Sequence, residues 1–148
     1  MWVSRRTDYA TRALLALTLE GGGPMKLEEL ARRTSAPQSV LEQLMPTLRT
    51  AGIVRSERGP SGGYRLNKAP EEITLERVVR LFQGQLAPIG YATRRNPDSC
   101  PKFVADSLRG AWGEVRDATI GVLERTTFAD LAASAGGKWR EDSPVLVP

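Results

Sequence analysis

The sequence predicts a mainly helical fold with a small β-hairpin: a winged helix-turn-helix domain followed by a long helix. Three observations carry this expectation. Two short amphipathic stretches flank a tight turn at Thr34-Ser35-Ala36; two strand-like runs flank a glycine-proline tip at 58–62; and an apolar seam runs from Val104 to Val122.

The first helix is expected over 7–20, with Thr7 or Asp8 as its cap, Ala10, Ala13, Leu14 and Leu17 as one stripe, and Gly21-Gly22-Gly23-Pro24 as its end. Leu27, Leu30 and Ala31 continue at helical spacing, and Glu28 and Glu29 favour the positive end of a short second helix reaching about Arg33. Pro37 suits the first position of a third helix, whose broad apolar face is Val40, Leu41, Leu44, Met45 and Leu48 and whose end is Ala51-Gly52. Pro46 conflicts with that helix, because it removes a backbone hydrogen bond and crowds the carbonyl four residues back; a kink without a break is expected.

Residues 53–57 and 63–66 then read as the hairpin. A fourth helix over 74–82 is capped by Thr74 and buries Leu75, Val78, Val79 and Phe82, and residues 83–99 read as an irregular loop. From Phe103, the residues Val104, Leu108, Ala111, Val115, Ala118 and Val122 recur at alternating steps of four and three, the coiled-coil seam, over almost three heptads. With Trp112 beside it, this seam is the expected interface with a partner helix; packing on the chain's own first domain is the alternative. Thr127 with Asp130 resembles a capping box opening a short last helix. The expected organisation is a winged-helix domain over 1–83, a loop over 84–102, a pairing helix with a short final helix over 103–135, and a flexible tail over 136–148.

Composition narrows the chemistry. With 148 residues, 41 % hydrophobic and 26 % charged, the chain can build one packed domain with an extension. Its longest apolar stretch, Ala13 to Leu17, is far short of the roughly 20 residues of a membrane span, and the first residues lack a signal-peptide pattern; a soluble, cytoplasmic protein without membrane partners is expected. Histidine is absent and Cys100 is the single cysteine, so disulfide frameworks and Cys/His zinc sites cannot be assembled. No nucleophile–base pair, phosphate loop or metal set can be written, and an enzyme is not expected. The pI near 9.6 points to a polyanion. Residues 1–68 hold 11 Lys/Arg against 6 Asp/Glu, whereas residues 69–148 hold 10 against 11, so the basic excess lies in the helix-turn-helix half.

A third helix of this kind enters the DNA major groove, and a glycine-rich basic tip reaches the neighbouring minor groove. Gln38, Ser39, Glu42 and Gln43 occupy exposed positions near the start of the third helix, where Gln pairs with adenine, Glu accepts from cytosine and Ser serves several bases. At the tip, Gly59, Gly62 and Gly63 let the backbone approach closely and Arg58 suits a narrow minor groove. Solvated helix residues and an ordinary surface turn would have the same composition. A winged-helix module that binds protein is therefore a second reading, which salt dependence of DNA binding distinguishes.

The runs Thr7-Asp8-Tyr9-Ala10, Leu41-Glu42-Gln43-Leu44, Leu48-Arg49, Ala51-Gly52-Ile53-Val54 and above all Arg58-Gly59-Pro60-Ser61-Gly62-Gly63-Tyr64 resemble the Rrf-type (IscR/NsrR/CymR-like) bacterial regulators. Ile73-Thr74 and Thr126-Thr127-Phe128-Ala129-Asp130-Leu131 extend the resemblance to nearly the whole chain. It implies a homodimeric winged-helix transcription regulator whose long helices pair. It places base reading at Ser39, Glu42 and Gln43, minor-groove entry at Arg58, and phosphate or positioning roles at Tyr9, Arg49 and Ser61. Val40 departs from the aromatic residue often found before the Leu-Glu-Gln run, which leaves the operator class open.

Many members of that family bind an iron–sulfur cluster through three cysteines in the loop before the long helix. Here Cys100 matches the last and the other two positions carry no thiol; Asp8 matches a carboxylate some relatives contribute. Since a cluster takes about four protein ligands, chiefly cysteine, no iron–sulfur cofactor is expected; a cluster-binding redox regulator with unusual ligands is a further alternative. Three routes for a signal stay open. Cys100, with Arg94, Arg95 and Lys102 nearby, could be a redox switch; a small molecule could bind near Trp112 and Tyr91; or a partner protein could act as effector. The expected protein is a homodimeric DNA-binding transcription regulator, acting as a repressor.

Overall fold

Ser4 opens the first helix. In the computed structural model, which describes residues 3–86 and 102–136 with the side chains of 102–106 excepted, its hydroxyl accepts the Thr7 backbone N–H at 3.1 Å. Helix α1 (Arg5–Leu19) thus starts a little ahead of the 7–20 reading. Thr7 and Asp8 are not caps: Thr7 is fully buried, and Asp8 pairs with Arg12 at 2.7 Å.

Helix α2 (Leu27–Thr34) has Glu28 and Glu29 in its first turn and Arg32 and Arg33 in its last, both favourable to the helix dipole. It stops at Ser35, whose φ of 54° is the left-handed conformation that ends a helix and turns the chain. Pro37 is the N-cap of α3 (Gln38–Thr50) and not, as expected, its first residue; its fixed φ of −60° delivers the chain into the helix. α3 runs through Pro46 without a break. At its far end Gly52 has φ 73°, its N–H reaches the Arg49 carbonyl at 2.9 Å, and the Ile53 N–H reaches the Leu48 carbonyl at 3.0 Å. That paired closure, with fully buried Ile53 over Leu48, is a Schellman end. It also takes Ile53 out of the first strand.

Strands β1 (Val54–Glu57) and β2 (Gly63–Leu66) are antiparallel, in register Val54↔Leu66 to Glu57↔Gly63. Met25, between α1 and α2, exchanges two 2.8 Å backbone hydrogen bonds with Tyr64, so the hairpin is fastened to the helical layer along one edge. Gly63 permits this. A Cβ there would lie 2.4 Å from the Met25 carbonyl oxygen, at a φ of +150°.

After a 3₁₀ turn at Pro70–Glu72, which the sequence did not announce, α4 (Leu75–Gln83) is capped by the Thr74 hydroxyl. The long helix α5 (Lys102–Arg125) follows, and α6 (Phe128–Ser134) opens with the expected capping box: Thr127 and Asp130 exchange hydrogen bonds of 2.9 and 3.1 Å. α6 returns to the head of the molecule, where Phe128 is fully buried in one cluster with Leu14, Leu30, Leu44 and Ile73. The Phe128 N–H meets the Ile73 carbonyl at 3.0 Å and the Leu75 N–H meets the Thr126 carbonyl at 2.8 Å. Cys100 and Tyr91 lie outside the described residues, as does the tail from 137; of Val104 only the backbone is described.

Candidate nucleic-acid interface

α3 is divided by its own periodicity. Leu41, Leu44, Met45 and Leu48 are fully buried against α1, α2 and the hairpin, which forces Gln38, Ser39, Glu42 and Gln43 to the opposite, exposed face. The four share one face by their spacing of three and four, and none of their side chains makes a hydrogen bond or ion pair with another described residue. A row of solvent-exposed amide, hydroxyl and carboxylate groups without protein partners on a rigid helix is the donor and acceptor set that base edges require. Two turns on, Arg49 is also exposed, its Nη1 3.5 Å from the Ser56 hydroxyl of β1.

The wing tip is built so that its basic residue projects. The Gly62 N–H closes onto the Gly59 carbonyl at 3.0 Å. Gly62 is itself buried, and a Cβ on it would stand 2.2 Å from the Glu57 carbonyl oxygen, so it sets the shape of the tip. Arg58, Gly59 and Ser61 are exposed around it. The Glu57 carboxylate could have neutralised this tip, but it is held by Arg65 at 2.7 Å, and that hydrogen bond keeps its pKa below the ordinary carboxylate value. Arg58 is left without an ion pair among the described residues. Arg65 also donates to the Gly22 carbonyl, strapping the base of the wing to the turn after α1.

Tyr9 is half-buried on α1 and packs against the core, with the Arg12 guanidinium 5.5 Å from its ring centroid. Arg12 reaches further, donating to the Thr34 carbonyl at 3.3 Å, where α2 ends. On α2, hydrogen bonds from Arg32 and Arg33 pull the Glu29 pKa down to about 2, and Glu20 pairs with Arg33 at 2.7 Å. Asp8, Glu20, Glu29 and Glu57 are thus engaged by arginines, while Arg49 and Arg58 face solvent.

Sequence reasoning missed the arginine straps, namely Arg12 to Thr34, Arg65 to Gly22 and Arg77 to Ala51. Each joins elements far apart in the chain through a backbone carbonyl, and a carbonyl leaves no mark on sequence. For Arg12 and Arg77 the one available signal was an arginine on the polar side of an amphipathic helix, and for Arg65 an arginine in a strand; solvation explains each equally well.

On α5, Leu108, Trp112, Val115 and Val122 are 42, 37, 46 and 47 % exposed, and Ala111 and Ala118 are exposed with them. The seam is therefore uncovered by the chain's own head. Among the described residues no group of three His, Cys, Asp or Glu side chains could hold a metal, and no helix is long and apolar enough to cross a membrane.

Comparison with known proteins decides the family. Residues 3–134 match the Rrf2 family, described as iron-dependent transcriptional regulators. The chain belongs to the Rrf2 family. It is 32 % identical over 139 residues to the HTH-type transcriptional regulator CymR of Bacillus subtilis, a match spanning 93 % of this chain and 94 % of that protein. The solved structure of CymR, the global cysteine regulator of B. subtilis, is similar with a TM-score of 0.79 and 31 % identity, over 90 % of this chain and 98 % of that one. That of T. potens IscR is similar with a TM-score of 0.73 and 29 % identity, over 91 % and 88 %. This Rrf2-family chain is accordingly a DNA-binding transcription regulator with a winged-helix fold, and not an enzyme.

Proposed function

We propose that this Rrf2-family regulator acts in the cytoplasm as a homodimeric repressor that pairs through α5 and reads DNA with α3 in the major groove and Arg58 of each wing in the minor groove. The observation that carries the reading is the pairing of two features on one head: the exposed polar row Gln38, Ser39, Glu42 and Gln43, and a wing whose Arg58 has no ion pair among the described residues while Arg65 holds Glu57. In this reading Arg49, Ser61 and Tyr9 position the head on the phosphate backbone, and the exposed α5 seam supplies the second copy. The test is affinity for a duplex from the protein's own upstream region across a salt series. Binding that weakens steeply with salt, and is weaker with a shallower slope in R58A, supports the reading; salt-indifferent binding, or R58A equal to wild type in affinity and slope, refutes it.

The residues do not fit a cluster. One cysteine and no histidine leave each chain with a single soft ligand, against the roughly four that an iron–sulfur cluster takes, and Asp8, the other candidate, is paired with Arg12. We therefore propose regulation without an iron–sulfur cofactor, checked by the absence of iron and acid-labile sulfide in protein purified anaerobically.

We place signal input in the 84–102 stretch that holds Cys100. DNA binding that shifts on mild oxidation in the wild type and not in C100S assigns the input to the thiol, whereas binding indifferent to oxidation assigns it to a small-molecule or protein effector.

A further inference from the structure

The far end of α3 is held by a residue outside the helix-turn-helix. The Schellman closure uses the carbonyls of Leu48 and Arg49, and the Ala51 N–H uses that of Thr47. The carbonyls of Ala51 and Gly52 point beyond the helix with no backbone donor left for them. Arg77, on the first turn of α4, donates Nη2 to the Ala51 oxygen at 3.0 Å, and Asn67 donates Nδ2 to the Gly52 oxygen at 3.2 Å. A guanidinium at a helix C-terminus also meets the negative end of its dipole.

The same turn of α4 is tied to the α5–α6 junction. Thr74 pairs with Thr127 as an isolated bridge, the Leu75 N–H meets the Thr126 carbonyl at 2.8 Å, and α4 packs along α5. Arg77 thus stands where the end of α3 meets the element that carries the pairing helix. We propose that Arg77 is a positioning residue for DNA recognition: it fixes the tilt of α3, and so the register of Ser39, Glu42 and Gln43 against base edges, relative to α4 and the α5–α6 junction. The inference rests on α3 being the reading helix. Because α3 is a rigid rod of about 20 Å, a small pivot at Ala51 displaces its reading end.

The test compares wild type, R77A and R77K on two duplexes: one selected by the wild-type protein from a random pool, and a scrambled one of equal length. Each is titrated across a salt series, with melting curves of the free proteins alongside. R77A is expected to bind the selected duplex about tenfold more weakly, with unchanged affinity for the scrambled duplex, an unchanged salt slope and a melting temperature near that of wild type. R77K, which keeps a charged donor, is expected to recover at least half of the lost discrimination. A salt slope reduced by about two in the R77A dimer, one for each copy, would make Arg77 a phosphate contact and overturn the proposal. Parallel loss on both duplexes, undiminished discrimination, or R77K no better than R77A overturns it as well. If the wild type itself prefers no sequence, the reading of α3 fails and the inference with it.

Discussion

Glu42 is the single acidic side chain of α3 and stands on its exposed face. A carboxylate aimed at a polyanion raises the energy of every complex in which it meets phosphate, and it is tolerated best where it accepts from a cytosine N4 amine. E42A is therefore expected to relax preference at one base position by about 1–3 kcal/mol while strengthening binding to unrelated DNA, measured by competition titration against single-base variants of the selected duplex. Glu29 yields a different prediction. Its folded pKa of about 2 lies below its ordinary 4.5, because Arg32 and Arg33 hydrogen-bond the ionised form. A depressed carboxylate contributes stability that is fully present above the ordinary value and is lost as pH falls through the window from 4.5 to about 2. E29Q is expected to lose less stability than wild type between pH 5 and pH 2, as melting curves across that range will show.

At the scale of elements, local signals were legible and long-range ones were not. The stripe of Leu41, Leu44 and Leu48, the Thr74 cap and the Thr127–Asp130 box each lie within a few residues, and each stands where the sequence puts it. The Gly-rich tip marked the hairpin, because positive φ and close approach leave a residue-type signature. Ser4 was missed as the first cap because Thr7 and Asp8 are equally good cap residues; burial of Thr7 and the Arg12 partner of Asp8 decided the matter. The Met25–Tyr64 bridge was invisible, since a single backbone pair needs no particular side chain. The return of α6 onto α1 was equally hidden, although Phe128, one of only three phenylalanines, was its anchor. F128A is expected to cost about 3–5 kcal/mol in denaturant unfolding, well above the effect of a surface substitution; a cost under 1 kcal/mol would mean that α6 is not part of the core.

At the scale of the whole molecule, the head and the long helix divide the work. The head buries a continuous apolar core that includes Leu14, Leu44 and Phe128, whereas α5 leaves Leu108, Val115 and Val122 more than two-fifths exposed. A charge placed in a paired seam lacks a partner and is desolvated, so V115E is expected to convert a dimer to a monomer in light scattering at micromolar concentration. The V115E monomer is expected to stay folded and to bind a full-length site with lost avidity, because two linked half-sites bind far more tightly than one. A V115E protein that remains dimeric would place the interface elsewhere. The Arg77–Ala51 strap lies inside the head, on the same turn of α4 that meets the α5–α6 junction through Leu75 and Thr126.

Fluorescence anisotropy of wild type and R58A on the selected duplex, from low to physiological salt, tests the central claim most directly. The wild type is expected to bind tightly and with steep salt dependence, and R58A more weakly with a shallower slope, since one guanidinium per wing is lost from the narrow groove. Equal affinity and equal slope for the two proteins would contradict it.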